Sequence, residues 1–413
     1  MGQDFDRLGV GLISVGWMGK VHARAYRALP EFYPELGIRP VLVHAADTAA
    51  DRLDYARDGL GFARASTDYH AVIDDPEVDV VSICAPNFLH AEMATAAASA
   101  GKAFWIEKPA GRDASETQAI AEAADAAHVV TAVGFNYRNA PAVEHAKKLI
   151  ADGAIGRITN VRGTMFADYS AEPAGGLSWR FIRSLAGSGV LGDLMGHLVD
   201  LVQYLVGPID DVAALTSTVH ATRPKLAMGQ ATHFAVSDSA ERGEVENEDY
   251  AGMLVRLSDG AVGTLEASRV ATGRRAHYEL EVYGTEGALV WDFERMNELR
   301  LAVGRGPHSG FTSILAGPGF GDFARFQPGA GTGMGYDDLK VIEASKFLAS
   351  YSGREAPSAD IHDALAAARV AAAAEAAASD RTWHAVPPTA GTNGAGTNGA
   401  GANGSASQAG TTT

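Results

Sequence analysis

Leu8-Gly9-Val10-Gly11-Leu12-Ile13-Ser14-Val15-Gly16-Trp17-Met18-Gly19 is an apolar run that passes directly into a glycine-rich turn. Residues 8–15 have the length and composition of a strand buried on both faces. The pattern Ser14-x-Gly16-x-x-Gly19 falls where that strand would meet a helix. Glycines at such a junction let the backbone approach a pyrophosphate, and the free N–H groups of a helix N-terminus stabilise its charge. Ser14 stands where a glycine is usual, so a Cβ and a hydroxyl have to be accommodated. A tight structural turn accounts for the same residues, and the context must separate the two readings.

Moving outward, residues 40–46, 78–85, 102–107 and 129–135 read as further short strands, with alanine-rich helical stretches such as 91–100 and 114–127 between them. This is the alternation of parallel βαβ units in a doubly wound sheet, which binds ligands at the carboxyl ends of its strands. The second strand ends at Ala46-Asp47, and an acid there accepts hydrogen bonds from the adenosine ribose hydroxyls while disfavouring a 2′-phosphate. NAD is therefore expected rather than NADP. Asp47 also suits a helix N-cap, a role compatible with the first. Its long spacing from Gly16 is assigned to an excursion over residues 30–37. After the strand at 78–85, Asn87 is placed to touch the cofactor, and equally to shape a turn or cap a helix starting near His90, itself read as structural.

Beyond Ile155 the pattern changes. Residues 157–165, 251–257, 261–268 and 277–283 alternate apolar and polar side chains, as an antiparallel sheet with one covered face does. Residues 187–206 and 361–378 read as helices, which makes this half α+β. Residues 302–335 are glycine-rich without periodicity and read as a long loop, able to cover a site or simply mobile. From Thr389 the repeated Thr-Asn-Gly-Ala-Gly has almost no side chain larger than alanine's to bury, and a disordered extension is expected. The domains are placed at 1–136, 137–386 and 387–413.

Two groupings carry chemistry. Lys108, in Glu107-Lys108-Pro109, follows a buried strand and can hydrogen-bond a substrate hydroxyl beside a bound cofactor. Asp193 and His197 are four apart, on one face of the expected helix, where they can share a small substrate. A histidine can take a proton as an alcohol is oxidised, with the aspartate orienting it or binding a neighbouring hydroxyl. Two ligands are too few for a catalytic zinc, and no metal is expected.

Composition narrows the class. The chain has 413 residues, 46% of them hydrophobic, enough for two domains, and its net charge of −16 argues against binding nucleic acid. Cys84 is the single cysteine, so no intramolecular disulfide can form and a reducing compartment, the cytoplasm, is expected. No window reaches the roughly 18 apolar residues of a membrane span, and the first residues lack a secretory pattern. Met1-Gly2 with Asp6 at the sixth position does not make a myristoylation signal.

Together, Ser14-x-Gly16-x-x-Gly19, Glu107-Lys108-Pro109, Gly134-Phe135-Asn136-Tyr137 and the segment from Gly187 through Asp193 and His197 to Asp200 resemble the Gfo/Idh/MocA oxidoreductases over about residues 7–386. The resemblance implies an N-terminal Rossmann domain that binds NAD, and a C-terminal α+β domain whose large, mostly antiparallel open sheet carries the substrate site and often an oligomer interface. It implies that Lys108 contacts the reacting hydroxyl, His197 is the acid/base, and Asp193 binds or orients the sugar. Cofactor contacts are expected from Ser14, Gly16, Trp17, Met18, Asp47, Asn87, Glu107 and Lys108. Substrate contacts are expected from Tyr137, Tyr169, Trp179 and Arg180, beside the catalytic three. The expected activity is NAD-dependent oxidation of a secondary hydroxyl of a sugar, anhydrosugar or cyclitol by a homo-oligomer, a dimer or tetramer. The rivals are a redox-assisted glycosidase that retains NAD and a non-catalytic dinucleotide sensor.

Overall fold

The computed structural model describes residues 6–226 and 236–388. Most of the tail expected from 387, residues 389–413, lies outside the described residues. Strands β1 (Asp6–Ile13), β2 (Ile38–Ala46), β3 (Arg64–Ser66), β4 (Val80–Ile83), β5 (Ala103–Ile106) and β6 (Thr131–Val133) form one sheet of order β3-β2-β1-β4-β5-β6. Every pairing in it is parallel. All four residues of both β4 and β5 are buried, the mark of strands covered on two faces. The chain order reverses between β1 and β4, so their carboxyl ends open the crevice in which a doubly wound sheet binds its ligand. Five of these strands match the sequence reading; β3 is a three-residue edge strand too short to show a period.

The residues expected as an excursion continue the first helix, Trp17–Phe32, and close in a single turn at Pro34–Leu36. Gly37 ends that turn at φ 64°, a left-handed position that favours glycine.

The second sheet holds β7 (Ile158–Phe166), β8 (Ile209–Ser217), β11 (Tyr250–Leu257), β12 (Val262–Ser268), β13 (His277–Gly284), β14 (Gly287–Asp292), β15 (Glu298–Val303), β16 (Thr312–Leu315) and β17 (His384–Ala385); β9 (Thr222–Pro224) and β10 (Arg242–Glu244) make a separate ribbon. Its order is β16-β15-β14-β13-β7-β12-β11-β8-β17, and only β7 and β12 pair in parallel. Along β11 buried Ala251, Met253, Val255 and Leu257 alternate with more exposed neighbours, so one face is covered, by the helices Met195–Leu205 and Ile361–Asp380.

Two expectations need correction. Residues 187–206 form two helices, Val190–Asp193 and Met195–Leu205, with a bend of 45° between the segments on either side of Leu194. Gly187, Gly189, Gly192 and Gly196 crowd this stretch and lower its helical propensity. Residues 302–335 are also not a bare loop. They hold the edge strand β16 and a helical turn, Phe323–Phe326, anchored by buried Phe323 and by Phe326 stacked on Phe32 at 4.6 Å. The segment packs on the far end of helix Trp17–Phe32 instead of covering the glycine turn.

A buried charge network joins the two halves. Glu107, at the end of β5, accepts hydrogen bonds from His22 Nε2 at 3.0 Å and from Lys340 Nζ at 2.6 Å, and Lys340 also bonds Glu343 at 2.8 Å. Lys340 comes from helix Tyr336–Tyr351 and is fully buried. Burial pushes the Glu107 carboxyl up, but Lys340 and His22 outweigh it and hold it well below the usual range. Burial lowers His22 to about 4, so its neutral ring donates from Nε2 to Glu107 and accepts at Nδ1 from Ser82 Oγ. Removing one partner of such a network strands the other charge. Lys340→Met is expected to lower unfolding free energy by about 3–5 kcal/mol in urea titrations. The exposed pair Arg24–Asp337 is expected to contribute less than about 1 kcal/mol when Arg24 is replaced by alanine.

Candidate active site

A cleft of about 550 Å³ lies between the carboxyl edge of the first sheet and the broken helix. Its glycine-turn wall is built as a nucleotide cradle. Gly16 caps helix Trp17–Phe32 without any side-chain cap, which leaves first-turn N–H groups facing outward. A Cβ on Gly19 would stand 2.2 Å from the Ser14 carbonyl oxygen, so glycine alone permits this close helix-to-strand approach. Ser14 holds φ 73°, the left-handed conformation usually supplied there by glycine. Ser14, Gly16, Trp17 and Met18 all line the cleft, and Trp17 stacks on Tyr336 at 5.5 Å. This wall fits a dinucleotide: backbone donors at a helix start, small residues, and an exposed aromatic face.

Asp47 is not among the lining residues. Its Oδ2 accepts from Val15 N at 2.8 Å and its Oδ1 from Ala49 N at 3.1 Å, with Arg52 at 3.3 Å. The carboxylate thus braces the glycine turn from behind. It is also not the helix N-cap, since Ala49 occupies that position before Ala50–Asp54. Asn87 lines the cleft while its Nδ2 donates to Ala186 O at 3.1 Å; the helix begins at Asn87 itself, not near His90. Glu107 reaches the cleft wall, but its carboxylate turns away to His22 and Lys340.

Lys108, Asp193 and His197 converge. Lys108 Nζ donates to Asp193 Oδ1 at 2.7 Å and to the Asp193 carbonyl at 3.0 Å, and Tyr169 donates to Asp193 Oδ2 at 2.8 Å. Burial raises the Asp193 carboxyl, but Lys108, Arg180 and the Tyr169 hydroxyl together hold it far below its ordinary value. His197, starting the second helix, stands edge-on to Phe135 at 5.8 Å and Tyr137 at 4.8 Å. Burial, with the Lys108 charge, drives its pKa well below 6.5, so the ring is neutral at physiological pH. Among the described residues its ring nitrogens have no hydrogen-bond partner, and it lines the cleft.

The break at Leu194 matters here. It puts Asp193 on the Lys108 side and His197 among the aromatics, yet both face one space. Gly187, at φ 79°, lets the chain that leads into these helices pack against the 108–112 connection, since a Cβ there would meet Arg112 O at 2.1 Å. Opposite them stand Trp179, 6.1 Å from Phe88, and Arg180, whose guanidinium lies 4.3 Å over the Trp179 ring. Tyr137 and Tyr169 complete the enclosure. Tyr336 and Arg269 also line it and were not picked out as site residues from the sequence. Tyr336 follows a glycine-rich stretch and starts a helix, a pattern with no functional mark of its own.

A family profile described as an oxidoreductase family with an NAD-binding Rossmann fold matches residues 8–135, and a GFO/IDH/MocA C-terminal domain profile matches residues 143–290. The levoglucosan dehydrogenase of Pseudarthrobacter phenanthrenivorans is 40% identical over 389 residues, covering 92% of this chain and 99% of that protein. A myo-inositol 2-dehydrogenase of Thermotoga maritima is 27% identical over 302 residues, covering 72% and 79% of the two chains. A solved levoglucosan dehydrogenase in complex with NADH and levoglucosan superposes with a TM-score of 0.87 at 38% identity, covering 93% of this chain and 100% of that one.

Ser14 carries a testable cost. Ser14→Gly is expected to relieve about 1 kcal/mol of left-handed strain, raising the urea midpoint, and to leave NADH affinity undiminished in a fluorescence titration.

Proposed function

This chain belongs to the Gfo/Idh/MocA oxidoreductase family, and on that premise we propose how its residues divide the work. The protein is an NAD-dependent dehydrogenase acting on a secondary hydroxyl of a sugar or cyclitol. We assign cofactor binding to the glycine turn with Trp17 and Met18, to Asn87 and to the backbone around Glu107 and Lys108. Asp47 shapes that turn through the Val15 N–H, and we assign its remaining lone pairs to the adenosine ribose hydroxyls. When bound, the nicotinamide supplies the hydride acceptor.

The single observation that carries the assignment is the meeting of Lys108, Asp193 and His197 in one cleft with the glycine turn. An ammonium has three donors, and two of Lys108's are spent on Asp193. The third is available to a substrate oxygen, where it stabilises developing negative charge. His197, neutral and with no hydrogen-bond partner for its ring among the described residues, takes the hydroxyl proton at a ring nitrogen. Asp193, held by Lys108 and Tyr169, orients the ammonium and offers its remaining lone pairs to a neighbouring hydroxyl. Trp179 and Tyr169 present aromatic faces to the ring, and Arg180 adds donors beside them.

Levoglucosan is our first choice of substrate, because the relative named for it spans nearly the whole chain. We also propose a cytoplasmic homo-oligomer, a dimer or tetramer. Register puts exposed Leu215, Leu254 and Val262 on the uncovered face of the second sheet, an apolar area suited to a second copy.

Anhydrosugars, aldoses and inositols screened for NAD reduction at about 340 nm, the absorbance of the reduced nicotinamide, test the reading; no reduction with any of them overturns it. Lys108→Ala and His197→Ala are each expected to lower kcat by about 10²–10⁴ while NADH binding survives. For sugar oxidation, kcat/KM is expected to fall only on the acid side, through an apparent pKa below 6.5, as His197 becomes protonated. A limb above neutrality that disappears in His197→Ala would contradict the assignment.

A further inference from the structure

His90 is buried to 1% exposure in the first turns of helix Asn87–Ser99. Its Nδ1 lies 2.8 Å from the Pro109 carbonyl oxygen and its Nε2 lies 2.7 Å from the Ala85 carbonyl oxygen. A backbone carbonyl only accepts. A neutral imidazole has one N–H, so one of these contacts would set a nitrogen lone pair against an oxygen lone pair. Flipping the ring offers no escape, since it turns carbon atoms toward the carbonyls. His22 shows what a neutral buried histidine requires: a carboxylate that accepts on one side and a hydroxyl that donates on the other. Among the described residues His90 has no such hydroxyl.

The two carbonyls are well placed to matter. Ala85 follows β4 and Pro109 directly follows Lys108, so the imidazole ties together the two strand ends that floor the cleft. We propose that His90 is a positioning residue: a doubly protonated imidazolium that clamps the Ala85 and Pro109 carbonyls and thereby fixes the backbone from which Lys108 reaches the substrate. This rests on Lys108 acting as assigned above, although the charge state of His90 does not.

The surroundings oppose and support that charge in identifiable ways. Burial is the largest influence and moves the His90 pKa below its ordinary value, against the two carbonyls and the carboxylates of Glu107 and of Glu116 on helix Ala114–Ala127, which favour the charge; the clamp therefore rests on the two short contacts to acceptors and not on this balance. The same two carboxylates already serve other cations, Glu107 pairing with Lys340 and Glu116 with Arg112, and Lys108 is paired with Asp193. No cation is therefore left unpaired on the 108–112 connection to repel an imidazolium.

The test is histidine-selective 15N NMR of the full-length protein at about pH 7.5, where exposed histidines of ordinary pKa have largely lost their second proton. His90→Gln assigns the resonance. Two protonated ring nitrogens support the clamp, and one protonated with one bare nitrogen overturns it. In steady-state kinetics His90→Gln is expected to lower kcat about 10- to 100-fold, as small displacements of a catalytic group do, with NADH affinity unchanged. Unaltered kcat, or equal losses of kcat and NADH binding, would also count against it. Should the variant not fold, the wild-type spectrum decides alone: a buried histidine with both nitrogens protonated supports the clamp, and its absence overturns it. Failure of Lys108→Ala to impair turnover would remove the catalytic reading while leaving the spectrum as it is.

Discussion

The 2.7 Å contact between Lys108 Nζ and Asp193 Oδ1 links the two halves of the molecule at the point where chemistry is expected. The pair lines an open cleft, with 16% of the Lys108 and 37% of the Asp193 side chain exposed, so water screens it and its role is to fix geometry more than to add stability. One comes from the end of β5 and the other from the broken helix, so the pair forms only when the halves close on each other. Assembly of the site and docking of the two sheets are thus one event.

The residue next to Lys108 repeats the logic in the opposite direction. Successive side chains at a strand end point to opposite sides. Glu107 therefore turns to Lys340 while Lys108 turns to Asp193. The Glu-Lys-Pro sequence works as a double fastening, with one hand on helix Tyr336–Tyr351 and the other on the substrate side. Gly134 belongs to the same arrangement, since a Cβ there would fall 2.6 Å from Glu107 Oε2.

How much of this could be read from sequence follows from the range of each interaction. The parallel sheet was legible because strands buried on both faces leave unbroken apolar runs, and the glycine turn because its packing is local. The break at Leu194 was not, since a spacing of four between Asp193 and His197 looks the same in a continuous helix and in two short ones. Lys340 and Glu107 are 233 residues apart, and nothing local in a lysine on an ordinary helix announces a buried partner. In residues 302–335 the glycine-rich surroundings of Phe320, Phe323 and Phe326 hid anchors that bind through individual rings. The bond from the Val15 N–H to Asp47 was not legible either, since it joins residues 32 apart in the chain.

The cleft's electrostatics explain why three ionisable groups can sit together and still differ in state. Asp193 keeps its charge because Lys108, Arg180 and Tyr169 surround it. His197 loses its proton because burial and the same Lys108 charge disfavour a second cation. One ammonium therefore sets both neighbours, anionic on one side and neutral on the other, which is the division a hydroxyl oxidation needs: a fixed donor for the oxygen and a vacant nitrogen for its proton. Moving Lys108 would disturb both neighbours at once. Control of its backbone is then control of the whole site, and the carbonyl that immediately follows it is the one His90 holds.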